Sequence, residues 1–283
     1  MTLPASGPIS LNNVNVELGL SGTTLISMNQ ASVRTLFAVP SGAISMSNGY
    51  GKSNQFAFTI SSNQTNANLR TLALNAGWPG TSKVVATINS GVYVSSNSTG
   101  TPALTVNGSF PGGVELINNG FIIGMGGGGG SAYIGFGPGT VGSAGGLALS
   151  VSSAITINNG SGTIGGGGGG GGGANAQYDG YTGVTGPGGG GGRSGAAANS
   201  AGGTGYFAPN GGAGTVSAPG AGGVNGVVSG GSGGQWGASG GASNTPPPAP
   251  WGTSRAGGAG GAAISGNANI TYIATGTRLG AIS

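Results

Sequence analysis

Residues 165 to 173 are nine consecutive glycines. A run without side chains has nothing to bury, and glycine loses more backbone freedom on folding than any other residue. Its order must therefore come from backbone hydrogen bonds. An extended left-handed polyproline II helix, rising ~3.1 Å per residue with three residues per turn, leaves its N–H and C=O groups pointing outward without internal partners. Several such helices can bond to one another only if their axes come close, and only glycine permits that approach. At that rise the run spans roughly 28 Å. The shorter runs at 126–130 and 188–192 can lie beside it, and "NGGAG", "AGGVNG", "GGSGG" and "AGGAGG" further on supply more rods. The expectation is a packed bundle of polyglycine II helices whose loops carry the larger side chains. The competing reading is a flexible Gly-rich tether. Tyr206, Phe207, Trp236 and Trp251 make that an odd tether.

Glycine placement also divides the chain, since 57 of its 71 glycines fall in residues 111–261. Residues 1–55 read as an N-terminal repeat module, 56–123 as a β-rich segment, 124–264 as the glycine body and 265–283 as a C-terminal strand segment. The predicted fold class is mostly β and irregular, with very little α-helix. The first module repeats three times, as Ser6-Gly7-Pro8-Ile9-Ser10-Leu11, Ser21-Gly22 leading to Ile26-Ser27-Met28, and Ser41-Gly42-Ala43-Ile44-Ser45-Met46. Each unit offers an apolar residue for burial and a Ser able to cap a helical turn. Val33, Leu36 and Phe37 predict a short helix over 29–37 that Pro40 stops. Runs such as "FAFTI", "TLAL", "VVATI", "GVYV", "ALTV" and "VELI" predict strands. A second repeat matches Leu116-Ile117-Asn118-Asn119-Gly120 with Thr156-Ile157-Asn158-Asn159-Gly160, each leading into a glycine run, as in solenoid rungs.

The chain carries ten charged residues, no His and no Cys. Scattered single basic residues are not a nucleic-acid patch, and the usual zinc-ligand sets and disulfides are excluded. "GYGKS" at 49–53 ends like a phosphate loop, but the required first glycine is Met46. Glu17, Glu115 and Asp179 lie too far apart in sequence to suggest a glycosidase pair. No enzyme activity, cofactor or metal is expected. No basic n-region with an apolar core opens the chain, and no stretch reaches membrane-spanning length. What remains for recognition is the body's aromatic set, because Tyr and Trp give large contact area at low entropic cost. Tyr178, Asp179, Tyr181, Tyr206, Phe207, Trp236 and Trp251 are the candidate receptor contacts, with Tyr178-Asp179-Gly180-Tyr181 favoured as a loop directly after a rod. For each aromatic the alternative is that it pads the flank of the bundle.

"SGPISLNNVNVELG", "PSGAISMSNGYGKSN", "SGVYVSSNSTGTPAL", "LINNGFIIGMGGGGG" and "ITYIATGTRLGAIS" resemble tail-fibre and tail-tip proteins of tailed bacteriophages. The glycine body is similar to the tip adhesins of T-even-like phages. That resemblance implies stacked polyglycine II helices holding loops that touch a host receptor, an outer-membrane protein or surface glycan. It also implies a virion tail location after cytoplasmic synthesis and release by lysis, with other tail proteins held through the N-terminal module. The oligomer would be a trimer or a monomeric cap. The alternative is a purely structural tail, baseplate or fibre component with the glycine body as a rigid spacer.

Overall fold

The computed structural model describes residues 2–133, 138–174, 177–178, 184–226, 228–244 and 254–283. The N-terminal module folds around Leu3, Ile9, Val14, Val33, Leu36 and Phe37. Helix α1 (Leu11–Glu17) starts at Ser10, whose hydroxyl accepts from the Asn13 N–H while the Asn13 side chain accepts from the Ser10 N–H. Ser45 and Asn48 form the same N–H to side-chain contact before a short 3-10 turn at Met46–Gly49. Helix α2 (Ala31–Phe37) ends at Ala38 in the left-handed conformation, just ahead of Pro40, as the sequence pattern predicts. The buried Glu17 carboxylate accepts from the Ser53 hydroxyl and the Asn54 N–H, tying the module to the segment by which the chain leaves it.

The next region is a five-rung parallel solenoid with three sheets. The first rung is β1 (Gln55–Ile60), β2 (Gln64–Thr65) and β3 (Ala67–Asn68), followed by α3 (Leu69–Asn75). The second is β4 (Lys83–Ile88), β5 (Tyr93–Ser95) and β6 (Leu104–Val106). The third is β7 (Val114–Asn118), β8 (Phe121–Ile123) and β9 (Leu149–Val151), and the fourth begins with β10 (Ile155–Asn158) and β11 (Thr163–Gly165). Two hairpins interrupt it, β12 (Gln177–Tyr178) with β13 (Val184–Thr185) and β14 (Val224–Asn225) with β15 (Val228–Ser229). β16 (Ile264–Ser265) then completes the fourth rung, and β17 (Ile270–Ala274) with β18 (Thr277–Leu279) begins the fifth. The sheets run β1-β4-β7-β10-β17, β2-β5-β8-β11-β18 and β3-β6-β9-β16. The closing segment is thus part of the solenoid. Inside it Leu104, Leu116, Ile122, Leu149, Ile157 and Ile164 are fully buried.

Two sequence readings shift. "TLAL" lies in α3, not in a strand, because the Asn68 side chain accepts from the Thr71 N–H and caps a helix of good helix formers. The Asn-Asn-Gly repeat is one residue out of register: Leu116 lies beside Ile157, and the Asn118 amide donates to the Asn159 side chain at 2.7 Å. A one-residue slip would turn every side chain to the other face, so burial of Leu116 and Ile157 fixes the pairing.

The glycine body is two excursions from this solenoid, one between β8 and β9 and one between β11 and β16. Its backbone runs as ten extended segments at 124–133, 138–148, 165–174, 186–194, 200–205, 209–215, 218–223, 230–235, 238–244 and 254–263. The nine-glycine segment is their hub. Its N–H groups at 167, 170 and 173 donate to Gly146, Ser143 and Thr140; those at 168, 171 and 174 to Arg193, Gly190 and Pro187; those at 169 and 172 to Ala238 and Gly241. Its carbonyls at 165, 168 and 171 accept from Gly124, Gly127 and Gly130; those at 166, 169 and 172 from Gly237, Gly234 and Gly231; those at 167 and 170 from Gly261 and Gly258. Six neighbours are reached with a three-residue period.

Candidate functional site

The order of these bonds fixes the direction of every segment. Partner numbers rise together between 124–133 and 165–174, and fall as the other rises between 165–174 and 186–194. Traced through all ten, successive segments alternate in direction. Turns therefore collect at two opposite ends. At the solenoid end lie 195–199, 216–217 and 236–237. At the far end lie the turns at 205–209 and 223–226, together with the described segment ends at 133, 138, 174, 186, 230, 244 and 254.

Trp236 belongs to the solenoid end, which withdraws it from the candidate contacts. It is 8% exposed, its indole N–H donates to the Ser194 carbonyl at 3.0 Å, and the Arg193 guanidinium sits 3.7 Å from its ring centroid. Phe121, itself stacked on Tyr93, closes the cluster. Trp236 seals the joint between glycine body and solenoid. Residue type alone gives no sign of this, because the end on which a turn falls depends on how many segments precede it.

The far end carries the described candidates Tyr178, Tyr206 and Phe207. Phe207 is 72% exposed and holds the left-handed region at φ 46°, with its ring 4.5 Å from Tyr206. A bulky non-glycine residue at positive φ is strained and persists only where its surroundings impose it. Tyr206 exchanges backbone hydrogen bonds with Gly186, the residue following β13, and β13 pairs Val184 with Tyr178. The 205–209 turn and the Tyr178 hairpin are thus adjacent. Asp179, Tyr181 and Trp251 lie outside the described residues. Sequence reasoning passed over Val224, 60% exposed, and Val141, which with Tyr133 and Phe207 are the exposed large apolar residues described in the body. All four sit at or near the far end. The signal was available as apolar residues flanking glycine turns. Arg255, whose Nε is buried without a hydrogen-bond partner among the described residues, is the one charged side chain described there.

Among the described residues no group of His, Cys, Asp and Glu can hold a metal ion, and no helix is long and apolar enough to cross a membrane. Lys83 and Glu115 form an ion pair at 2.6 Å on the solenoid.

Comparison with known proteins agrees with this architecture. Over nearly its whole length (99% of this chain and 100% of the other), the protein is similar to a chain of the crystal structure of the gp37-gp38 adhesin tip complex of the bacteriophage S16 long tail fiber, at 28% identity and a TM-score of 0.61. No curated protein matches. The family of the phage tail fibre adhesin Gp38 matches residues 55–283, the solenoid and glycine body together. The chain therefore belongs to the Gp38 phage tail fibre adhesins, virion tail proteins that recognise the host cell surface.

Proposed function

We propose that the far-end turns of the glycine body are the receptor-binding face, that contact there is non-catalytic, and that the rods behind them are polyglycine II helices. The observation that carries this reading is the alternation of the ten segments. It gathers the body's exposed apolar side chains at the end opposite the solenoid. The three-residue bonding period supports the helix assignment. Phe207 is the best-placed described anchor, with Tyr206 beside it; Tyr178, on β12, pairs with β13 next to Gly186, the backbone partner of Tyr206. Aromatic residues dominate binding energy in such patches.

Replacing Phe207 with Ala lowers the adsorption constant of phage carrying the variant at least tenfold, about 1.4 kcal/mol, with the melting temperature unchanged. The same loss is expected for the double change Tyr178→Ala and Tyr181→Ala. Wild-type adsorption by both variants, on particles with a full complement of the protein, assigns the body a spacer role instead.

The N-terminal module is the docking end toward the tail fibre. In its three repeats Pro8, Leu25 and Ala43 stand exposed immediately before the isoleucines, Leu25 at 99%. The backbone groups of Ile9, Ile26 and Ile44 have no hydrogen-bond partners among the described residues. The backbone groups of these three segments are thus available to tail protein.

A further inference from the structure

The solenoid ends in an open rung. β17 is the outermost strand of its sheet and β18 of its own, and Ile273, Leu279 and Ile282 stand exposed there. An apolar edge with unpaired backbone groups is a template for another strand. The natural occupant is a second copy, β17 against β17 about a twofold axis, because such a contact is self-complementary.

One residue does not fit that template. In the second sheet Val94, Ile122 and Ile164 stack in register and are fully buried, and the next place in the column is Arg278. Alternation along a strand points Arg278 to the same interior side as Ile164. In the first sheet Leu116 and Ile157 lead in the same way to Tyr272. The Arg278 guanidinium lies 5.1 Å from the Tyr272 ring centroid, and the Tyr272 hydroxyl donates to the Asn267 side chain. A charge thus closes the core where a sixth rung would continue it.

We infer that Arg278 is an edge guard that keeps the adhesin from pairing end to end through its last rung. Joining two such ends would enclose two guanidinium groups in an apolar core, and the acidic side chains among the described residues, Glu17 and Glu115, belong to α1 and β7. Burying an unpaired charge is far costlier than the edge contact repays. An inward-pointing charge is a known defence of open sheet edges.

The test uses the whole chain, as wild type, Arg278→Val and Arg278→Lys, followed by light scattering of the eluted peak and by amide exchange. Wild type and Arg278→Lys are expected at monomer mass. Arg278→Val, which continues the column, is expected at twice that mass, with amide protection gained at 270–274. A dimeric wild type overturns the inference, as does a folded Arg278→Val that stays monomeric or gains protection elsewhere. Should Arg278→Val not fold, Arg278→Gln is read by the same two measurements. Adsorption plays no part in this test, so it stands apart from the receptor-face proposal.

Discussion

At the scale of single residues, the nine-glycine run is explained by what a methyl group would meet. A Cβ on Gly169 or Gly170 would lie about 2 Å from the Gly258 or Gly128 carbonyl oxygen, whereas at Gly160 the nearest atoms are 3.4 Å away. The carbonyl is backbone bonded into the neighbouring rod, so it cannot step aside. Gly170→Ala is therefore expected to destabilise by at least ~3 kcal/mol, the upper range for overpacking, and Gly160→Ala to stay within about 0.5 kcal/mol, read by thermal unfolding. Trp236→Ala belongs with the first. It removes a buried ring and is expected to cost ~3–5 kcal/mol, lowering the melting temperature. The exposed Phe207 moves adsorption alone.

Among the elements, the solenoid holds its register through burial and through one asparagine ladder. Asn118 donates to Asn159 and accepts from the Gly120 N–H, and Asn159 donates in turn to the Thr275 and Thr277 carbonyls. Both asparagines are fully buried, so each change leaves a partner unsatisfied. Asn118→Ala is expected to cost ~1–3 kcal/mol, measured as a shift in denaturant midpoint. The ladder crosses rungs three, four and five at the turn just before the chain enters β8, β11 and β18. The strands β8 and β11 lead directly into the two glycine excursions. The rods thus inherit their spacing from the solenoid: Gly124 bonds to Gly165 as the next step after the pairing of Ile123 with Gly165.

Across the molecule, the features argued to matter for docking, edge protection and recognition lie on three different parts. The module at 1–55 exposes Leu25, the last rung carries Arg278 and the far end of the rods carries Phe207. If the module is the docking end, Leu25→Glu yields particles depleted of adhesin while the isolated protein melts as wild type, and normal incorporation on quantitative immunoblots counts against it. The rod bundle should also be the slowest-exchanging part of the body. All amides from 167 to 173 donate within it, so protection there is expected to approach that of global unfolding, and fast exchange would return the body to a tether.

That the glycine body is built from backbone pairing was legible in the residues alone, since a nine-residue run with no side chains has no other source of order. So were the mostly β character, the helix ending before Pro40 and the lack of His and Cys chemistry. These follow from local properties: residue type, spacing and conformational preference. Packing alone determines that 265–283 completes the solenoid, that "TLAL" is helical, and that Asn118 rather than Asn119 aligns with Asn159. It also places Trp236 and Phe207, alike as aromatics in glycine turns, at opposite ends of the bundle. The side on which a turn emerges depends on the parity of the segments before it, and the register of a rung on the core it closes. Both are properties of the packed whole, which no short window of sequence contains.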